Sequence, residues 1–258
     1  MTAVSTSPVV LITGAATGIG AACARAFAGR GWRVGVATLP ATVSDAEQVA
    51  AACRALGSEA LVLPLDVTDD AACRTAAAEL EAAYGRIDGL VNCAGVTRFI
   101  PHHDLEALPS SEFTRTNDVN VMGTFHMIRA CRSALERSGR GAIVNYSSIA
   151  GLSGVGSSAA YAASKGAVIS LTLPMARALA PHIRVNAVAP GYVAGGLPSR
   201  VLDPEALAAV EARYLETQPL KRLLVPDEVA DLTLFLIDGP VGITGEIIRI
   251  DNGLHLNG

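Results

Sequence analysis

Lysine is nearly missing from this 258-residue chain: Lys165 and Lys221 stand against eighteen arginines. A lysine kept in such a background marks a position where arginine cannot substitute, provided its surroundings make chemical sense. Net charge is also small, −4, with no basic face to hold a phosphate backbone, so a sequence-independent nucleic-acid binder is excluded. No run of about 18 apolar residues exists, which excludes a transmembrane helix and predicts no membrane partner. The first eight residues carry no basic stretch before an apolar core, so no secretory signal is expected and the predicted location is cytoplasmic. The five cysteines are scattered, odd in number and without a Cys-x-x-Cys pair; they read as reduced, small apolar residues, not as a disulfide framework or zinc site. The five histidines lack metal spacing, and His102 and His103 read as a polar loop, so no metal site is expected. With half its residues hydrophobic, the chain has the opposite composition to a disordered one.

Short β-rich runs alternate with longer helical patterns. Strands are predicted at residues 9–13, 34–38, 60–65, 90–93, 142–147, 184–188 and 246–250. Helices are predicted at 18–30, 44–56, 69–84, 110–138, 159–180 and 227–236. The strands are apolar throughout, as in a sheet covered on both faces, and the alternation predicts a parallel α/β sheet wound on both sides. No linker or composition shift interrupts residues 1–258, which read as one domain. Residues 190–219 are irregular, with a short helical pattern at 204–214, and read as a lid or an oligomer contact.

The first strand runs into Thr13-Gly14-Ala15-Ala16-Thr17-Gly18-Ile19-Gly20 and then a helix. Glycines at such a turn let a pyrophosphate approach the backbone, and the helix start offers free N–H groups. Asp66, ending the third strand, is placed to accept from an adenine amino group, with Val67 covering the ring; a helix cap, by Asp66 or by Thr68, is the other reading. Asn92-Cys93-Ala94-Gly95 ends the fourth strand, where small residues let a dinucleotide lie against the backbone. At the end of the second strand an acidic residue would hydrogen-bond a ribose 2′-OH; the chain has Thr38-Leu39-Pro40, with no carboxylate before Asp45. That favours NADP(H). The absence of Arg or Lys in the glycine turn and just after Thr38 keeps NAD(H) as the alternative.

Tyr161-Ala162-Ala163-Ser164-Lys165 puts a phenol and an ammonium on one helical face. A fixed positive charge favours phenolate and would lower the Tyr161 pKa from its ordinary ~10. Tyr161 then suits general acid or base work at a carbonyl or alcohol. Ser148, just after a strand, is placed to hold the substrate oxygen. Asn120, inside the 110–138 helix, would disturb it and hold a water.

Together these segments resemble the short-chain dehydrogenases/reductases of the compact single-domain type, in particular members similar to 3-oxoacyl-ACP reductases. The resemblance runs from Val9 to about Leu256 and rests on Thr13 through Gly20, Leu65-Asp66-Val67, Val91 through Gly95, Asn120, Tyr146-Ser147-Ser148, Tyr161 through Lys165, Arg184-Val185-Asn186, Pro190-Gly191, and the tail Thr244-Gly245 and Ile250 through Gly253. It implies a seven-stranded Rossmann-type sheet in three αβα layers, an Asn120–Ser148–Tyr161–Lys165 catalytic tetrad and a homotetramer (or homodimer). It also implies that Lys165 binds the nicotinamide ribose, and that Val193, shortly after Pro190-Gly191, contacts the nicotinamide carboxamide through its backbone. The cofactor-binding set is then Gly14, Thr17, Gly18, Ile19, Gly20, Thr38, Asp66, Val67, Asn92, Ala94, Gly95, Tyr161, Lys165, Pro190, Gly191 and Val193. Four departures stand out: Cys93 replaces the family's second Asn, Ala194-Gly195-Gly196 replaces a usual Thr, Pro174 should kink the Tyr161 helix, and Asn252 occupies a position where glycine is common.

The expected function is NAD(P)-dependent interconversion of a ketone and a secondary alcohol by hydride transfer. Asn120 supports a water relay, and a β-ketoacyl thioester is one candidate small-molecule substrate. The substrate would be read by residues 96–103, 149–160 and 192–214. The alternative is a non-catalytic cofactor-binding sensor or scaffold, whose mark would be a broken tetrad.

Overall fold

The computed structural model describes residues 7–256. Among these, seven strands form one parallel sheet: β1 (Val9–Thr13), β2 (Arg33–Thr38), β3 (Ala60–Pro64), β4 (Gly89–Asn92), β5 (Gly141–Tyr146), β6 (Ile183–Pro190) and β7 (Ile247–Ile250). Their order is β3-β2-β1-β4-β5-β6-β7. The central strands β1, β2, β4 and β5 are buried along their whole length, which is why they show no polar alternation. The edge strands β3 and β7 are the most exposed, β6 being open only at Arg184, and β3 ends on Pro64, tolerated at an edge.

Helices cover both faces. On one side α1 (Gly18–Gly29), α2 (Val43–Ala55) and α9 (Pro226–Asp238) pack with Phe27, Trp32, Val49 and Leu236. On the other, α3 (Asp70–Tyr84), α5 (Gly123–Ser138) and α7 (Ala159–Leu179) pack with Leu80, Met127, Leu135 and Leu179. This is the three-layer Rossmann-type arrangement that the strand–helix alternation predicts. The strand order reverses between β1 and β4, so a crevice opens at the carboxyl ends of those strands, the place where such sheets bind ligands. Register brings Thr13 opposite Asn92, and Asn92 opposite Asn145, at that edge.

The structure departs from the sequence reading at several places. The predicted helix over 110–138 is divided into α4 (Ser110–Asn117), a π-helical turn (Asp118–Met122) and α5; the extra residue per turn falls where Asn120 bonds to another loop. A short helix, α6 (Ala150–Ser153), occupies part of the 149–160 wall. The irregular stretch contains a 3-10 turn (Leu197–Arg200) and a longer helix than foreseen, α8 (Pro204–Thr217). The cap of α3 is neither Asp66 nor Thr68 but Asp69, whose carboxylate accepts from Ala71 N (2.8 Å) and Ala72 N (3.1 Å). The helix α7 continues through Pro174 to Leu179; Pro174 and Ser170, whose carbonyl loses its bond, both lie on the solvent face. Asn252 adopts φ +53°, the left-handed geometry its glycine-like position requires.

Candidate active site

The glycine turn is held by contacts that leave no room for side chains. A Cβ on Gly20 would lie 2.3 Å from the Gly14 carbonyl oxygen, and one on Gly14 (φ +65°) would lie 2.9 Å from Ala94 Cα. Thr13 fastens the two turns together: its Oγ1 accepts from Cys93 N and Ala94 N, each at 3.1 Å. The Thr17 side chain does not cap α1, so the first N–H groups of α1, from Gly18, Ile19 and Gly20, keep their capacity for an anion. These features fit a dinucleotide: a backbone cradle that a Cβ would fill, set at a helix start.

Other cofactor candidates ring this crevice. Asp66 is exposed, and one carboxylate oxygen accepts from Thr68 N (2.9 Å) and Thr68 Oγ1 (2.8 Å). Val67 is buried, its carbonyl accepting from or facing His126 Nδ1 at 3.0 Å. Thr38 is buried, with its hydroxyl paired to that of Thr42 at 2.6 Å. Asn92 Nδ2 donates to Asn145 Oδ1 (2.9 Å), and Asn145 Nδ2 donates to Thr172 Oγ1 (3.1 Å). That chain braces β4, β5 and α7 beneath the site. Pro190 ends β6 and Gly191 follows it, and Val193 bridges to Leu224, with Ala194 N donating to Leu224 O (2.9 Å).

The four predicted catalytic residues converge. Ser158 caps α7 by accepting from Tyr161 N (3.2 Å), which fixes Tyr161 in the first turn and Lys165 one turn later. The Ser148 hydroxyl lies close enough to the Tyr161 phenol to favour its ionised form. Ser148 also accepts from Ala150 N (3.2 Å) and reaches Pro190 O (3.4 Å). Asn120 Oδ1 accepts from Val96 N (2.8 Å), and its Nδ2 donates to Val96 O (3.1 Å) and Ser164 Oγ (3.0 Å). Ser164 in turn donates to Tyr161 O (2.8 Å). A Cβ on Gly95 would lie 3.4 Å from Asn120 Oδ1 and 3.5 Å from Lys165 Nζ, so the loop after β4 touches both.

The electrostatics differ from the expectation for Tyr161. Burial pushes its phenol up to about 12, and the Ser148 hydroxyl only partly offsets this. The Lys165 ammonium is 5.7 Å from the Tyr161 ring centroid and donates instead to Tyr146 O at 2.7 Å. Burial lowers its own pKa to about 8. Desolvation of both groups thus outweighs the acidifying effect predicted from their spacing.

Several residues of the site carry no motif. The hydroxyls of Thr97 and Ser157 bond each other, and Ile100 N donates to Ser157 O (2.8 Å), zipping the two predicted substrate-wall loops together. His102 Nε2 lies 3.2 Å from Gly156 O in the same seam. A cleft between α1 and α2 beside Thr17 is lined by Arg25, Asp45 and Gln48. These arise from long-range pairings of ordinary residues, for which local sequence holds no signal. Among the described residues, no cluster of three or more His, Cys, Asp or Glu is placed to hold a metal. Nor is any of their helices long and apolar enough to cross a membrane.

Comparison with known proteins agrees with this geometry. The family described as enoyl-(acyl carrier protein) reductase matches residues 14–255. The chain is 35% identical over 258 residues to 3-hydroxyacyl-CoA dehydrogenase type-2 of Homo sapiens, covering 96% of this chain and 95% of that protein. Among solved structures it is similar to a Burkholderia xenovorans protein assigned to the short-chain dehydrogenases/reductases, with 46% identity, TM-score 0.91, and coverage of 98% and 99% of the two chains. It is also similar to a 3-oxoacyl-[acyl-carrier protein] reductase with bound NAD from Brucella melitensis, with 35% identity, TM-score 0.83, and coverage of 97% and 92%. The chain belongs to the short-chain dehydrogenase/reductase family and is a nicotinamide-dependent oxidoreductase acting between hydroxyl and keto groups.

Proposed function

We propose that the protein reduces the ketone of a β-ketoacyl thioester to the secondary alcohol, with Tyr161 as general acid. The nearness of the Ser148 hydroxyl to the Tyr161 phenol supports this reading, because one carbonyl oxygen could accept from both. When bound, the reduced nicotinamide supplies the hydride. Ser148 orients the carbonyl and Tyr161 donates the proton to its oxygen. Lys165 holds the ribose and favours the phenolate that remains. Asn120, in its π turn, supports the water relay that returns a proton. A phenol pushed up to about 12 is protonated at neutral pH, which suits reduction over oxidation there. The thioester assignment is supported by the names of the human and Brucella relatives, both of which act on acyl thioesters, and by apolar Leu152 and Val155 exposed at the wall of the site.

The cofactor set would be Gly14, Thr17, Gly18, Ile19, Gly20, Asp66, Val67, Asn92, Ala94, Gly95, Tyr161, Lys165, Pro190, Gly191 and Val193, with Thr38 at the ribose. NADP(H) is the favoured cofactor, since Thr38 offers no carboxylate to repel a 2′-phosphate and Arg25 adds a cation to the cleft beside Thr17. NAD(H) is the alternative, and it is the cofactor held by the Brucella relative. Residues 1–258 act as one domain, residues 190–219 serve as the substrate lid, and the protein works in the cytoplasm as a homotetramer, with a homodimer the alternative.

Tyr161→Phe tests the assignment. Turnover of an acetoacetyl thioester, followed by loss of reduced-cofactor absorbance, should fall at least a thousandfold, while the Kd for NADPH changes less than twofold. Retained turnover in this variant sinks the reading.

A further inference from the structure

We propose that Tyr192 and Glu211 are positioning residues which clasp α8 over the substrate site; this deepens the hydride-transfer reading and its lid. The helix α8 buries none of its residues, and its main packing partner is the adjoining 3-10 turn, Leu197–Arg200, in the same segment. Leu207, Val210 and Tyr214 on one side of α8 are only half-buried, so a weak apolar face and specific side-chain contacts together hold it. The Tyr192 hydroxyl donates to Glu211 Oε1 at 2.9 Å, and its ring stacks on Tyr214, with centroids 4.6 Å apart and planes 23° from parallel. Glu211 and Tyr214 are three residues apart on one helical face, so Tyr192 grips α8 at two points of the same turn. A second anchor holds the end of the segment, where Asn252 Nδ2 donates to the buried Gln218 Oε1 at 3.1 Å.

The location of Tyr192 makes the clasp relevant to chemistry. Tyr192 is only 6% exposed and sits between Gly191 and Val193. One residue before Gly191, the Pro190 carbonyl accepts from Ile149 N (3.0 Å) and is reached by the Ser148 hydroxyl. One residue after Tyr192, Val193 is pinned by its bridge to Leu224. The lid is thus tied to the short backbone segment that supports Ser148. With its hydroxyl engaged by Glu211 and its ring by Tyr214, Tyr192 acts through α8. Losing the clasp should free α8 and weaken substrate binding, while leaving the Ser148–Tyr161 pair in place.

The experiment compares wild type with Tyr192→Phe, Glu211→Ala, their double variant and Glu211→Gln, whose amide oxygen still accepts the phenol proton. Steady-state kinetics with an acetoacetyl thioester should show KM raised about tenfold in each single variant, as for loss of one hydrogen bond to a charged group. Changes in kcat and in the Kd for NADPH should stay under twofold. The double variant should be no worse than the worse single one, because both remove the same contact, and Glu211→Gln should recover most of the lost affinity. Independently, trypsin should cut after Arg213, inside α8, several-fold faster in Tyr192→Phe and Glu211→Ala than in wild type, read by mass spectrometry on NADPH-loaded protein. Unchanged KM with unchanged cleavage overturns the clasp. So does a uniform loss of NADPH affinity and thermal stability that Glu211→Gln shares. If wild type turns over no ketone at all, the functional reading fails, and the cleavage comparison alone decides the clasp.

Discussion

Lys165 is a cation held almost out of water, 4% exposed, with its ammonium donating to the Tyr146 carbonyl. Arginine's larger planar fork would not fit there, which gives the chain's lysine scarcity a physical point. Burial lowers the Lys165 pKa from 10.5 to about 8. Between those pH values the folded protein binds fewer protons than the unfolded chain at this residue, so its contribution to stability rises with pH. Below pH 8 the folded state carries the cost of a buried charge. The shift, from 10.5 to about 8, corresponds to about 3 kcal/mol at 1.36 kcal/mol per unit. Lys165→Met removes that cost. Urea unfolding of both proteins at pH 7 and pH 10 isolates the effect from other titrating groups. The unfolding free energy of wild type minus that of Lys165→Met should grow by about 2–3 kcal/mol over this range, since pH 10 is still just below the unfolded value of 10.5. A difference that stays flat with pH would mean the ammonium is well solvated in the folded protein.

Between elements, the decisive contact is the crossing of α6 and α7. A Cβ on Gly151 would lie 2.5 Å from Lys165 C and 2.6 Å from Gly166 N, both backbone atoms that cannot swing aside. This close crossing seats Ser148, just before α6, against Tyr161 on α7. Gly151→Val should force the two helices apart and separate Ser148 from Tyr161. A displacement of about 1 Å at a reacting group costs on the order of a hundredfold in rate, so kcat should fall by about that factor. The glycine turn lies at the far side of the crevice, so NADPH affinity should hold within a few-fold. Loss of NADPH binding together with kcat would show that the whole fold, and not the crossing, had given way. The α6 helix itself was not legible in the sequence: four residues are too few for a period. The π turn escaped for a different reason. Residues 110–138 are helical by pattern, and only the bonds from Asn120 to Val96, 24 residues away, reveal why one turn is widened. The central strands were legible because burial on both faces leaves an unbroken apolar run. The Tyr161–Lys165 pair was legible because a tyrosine and a lysine four residues apart share a helical face, Ser148 and Asn120 stood out by their places after a strand and inside a helix, and the resemblance grouped the four. The Tyr192–Glu211 clasp and the Thr97–Ser157 seam had no such local mark, since they pair common residues 19 and 60 positions apart.

At the scale of the molecule, the crevice at the reversal of strand order is built from segments that are far apart in the chain. The glycine turn after β1, Asp66 after β3, Ala94 and Gly95 after β4, and Pro190 through Val193 at the end of β6 all open onto it. The β1 and β4 turns are already stitched by Thr13, whereas few bonds join the β3 end to the β6 end. A dinucleotide spanning these ends would link both halves of the sheet, so its binding should register as global stability and not as a local change. A ligand that binds only the folded state stabilises it by about 2.7 kcal/mol at one hundred times its Kd. For a domain of this size each kcal/mol raises Tm by about 2–4 °C. NADPH at that excess should therefore raise Tm by about 5–10 °C in a calorimetric scan. The same concentration of NADH should raise it less, because Thr38 and the next four residues present no carboxylate to a free 2′-OH and Arg25 lines the neighbouring cleft. Asp45 faces that cleft as well and works against a phosphate, which keeps the expected difference modest, a few degrees at most. A larger shift with NADH would reverse the cofactor assignment while leaving the bridging argument intact. No shift with either would remove the dinucleotide from the crevice altogether.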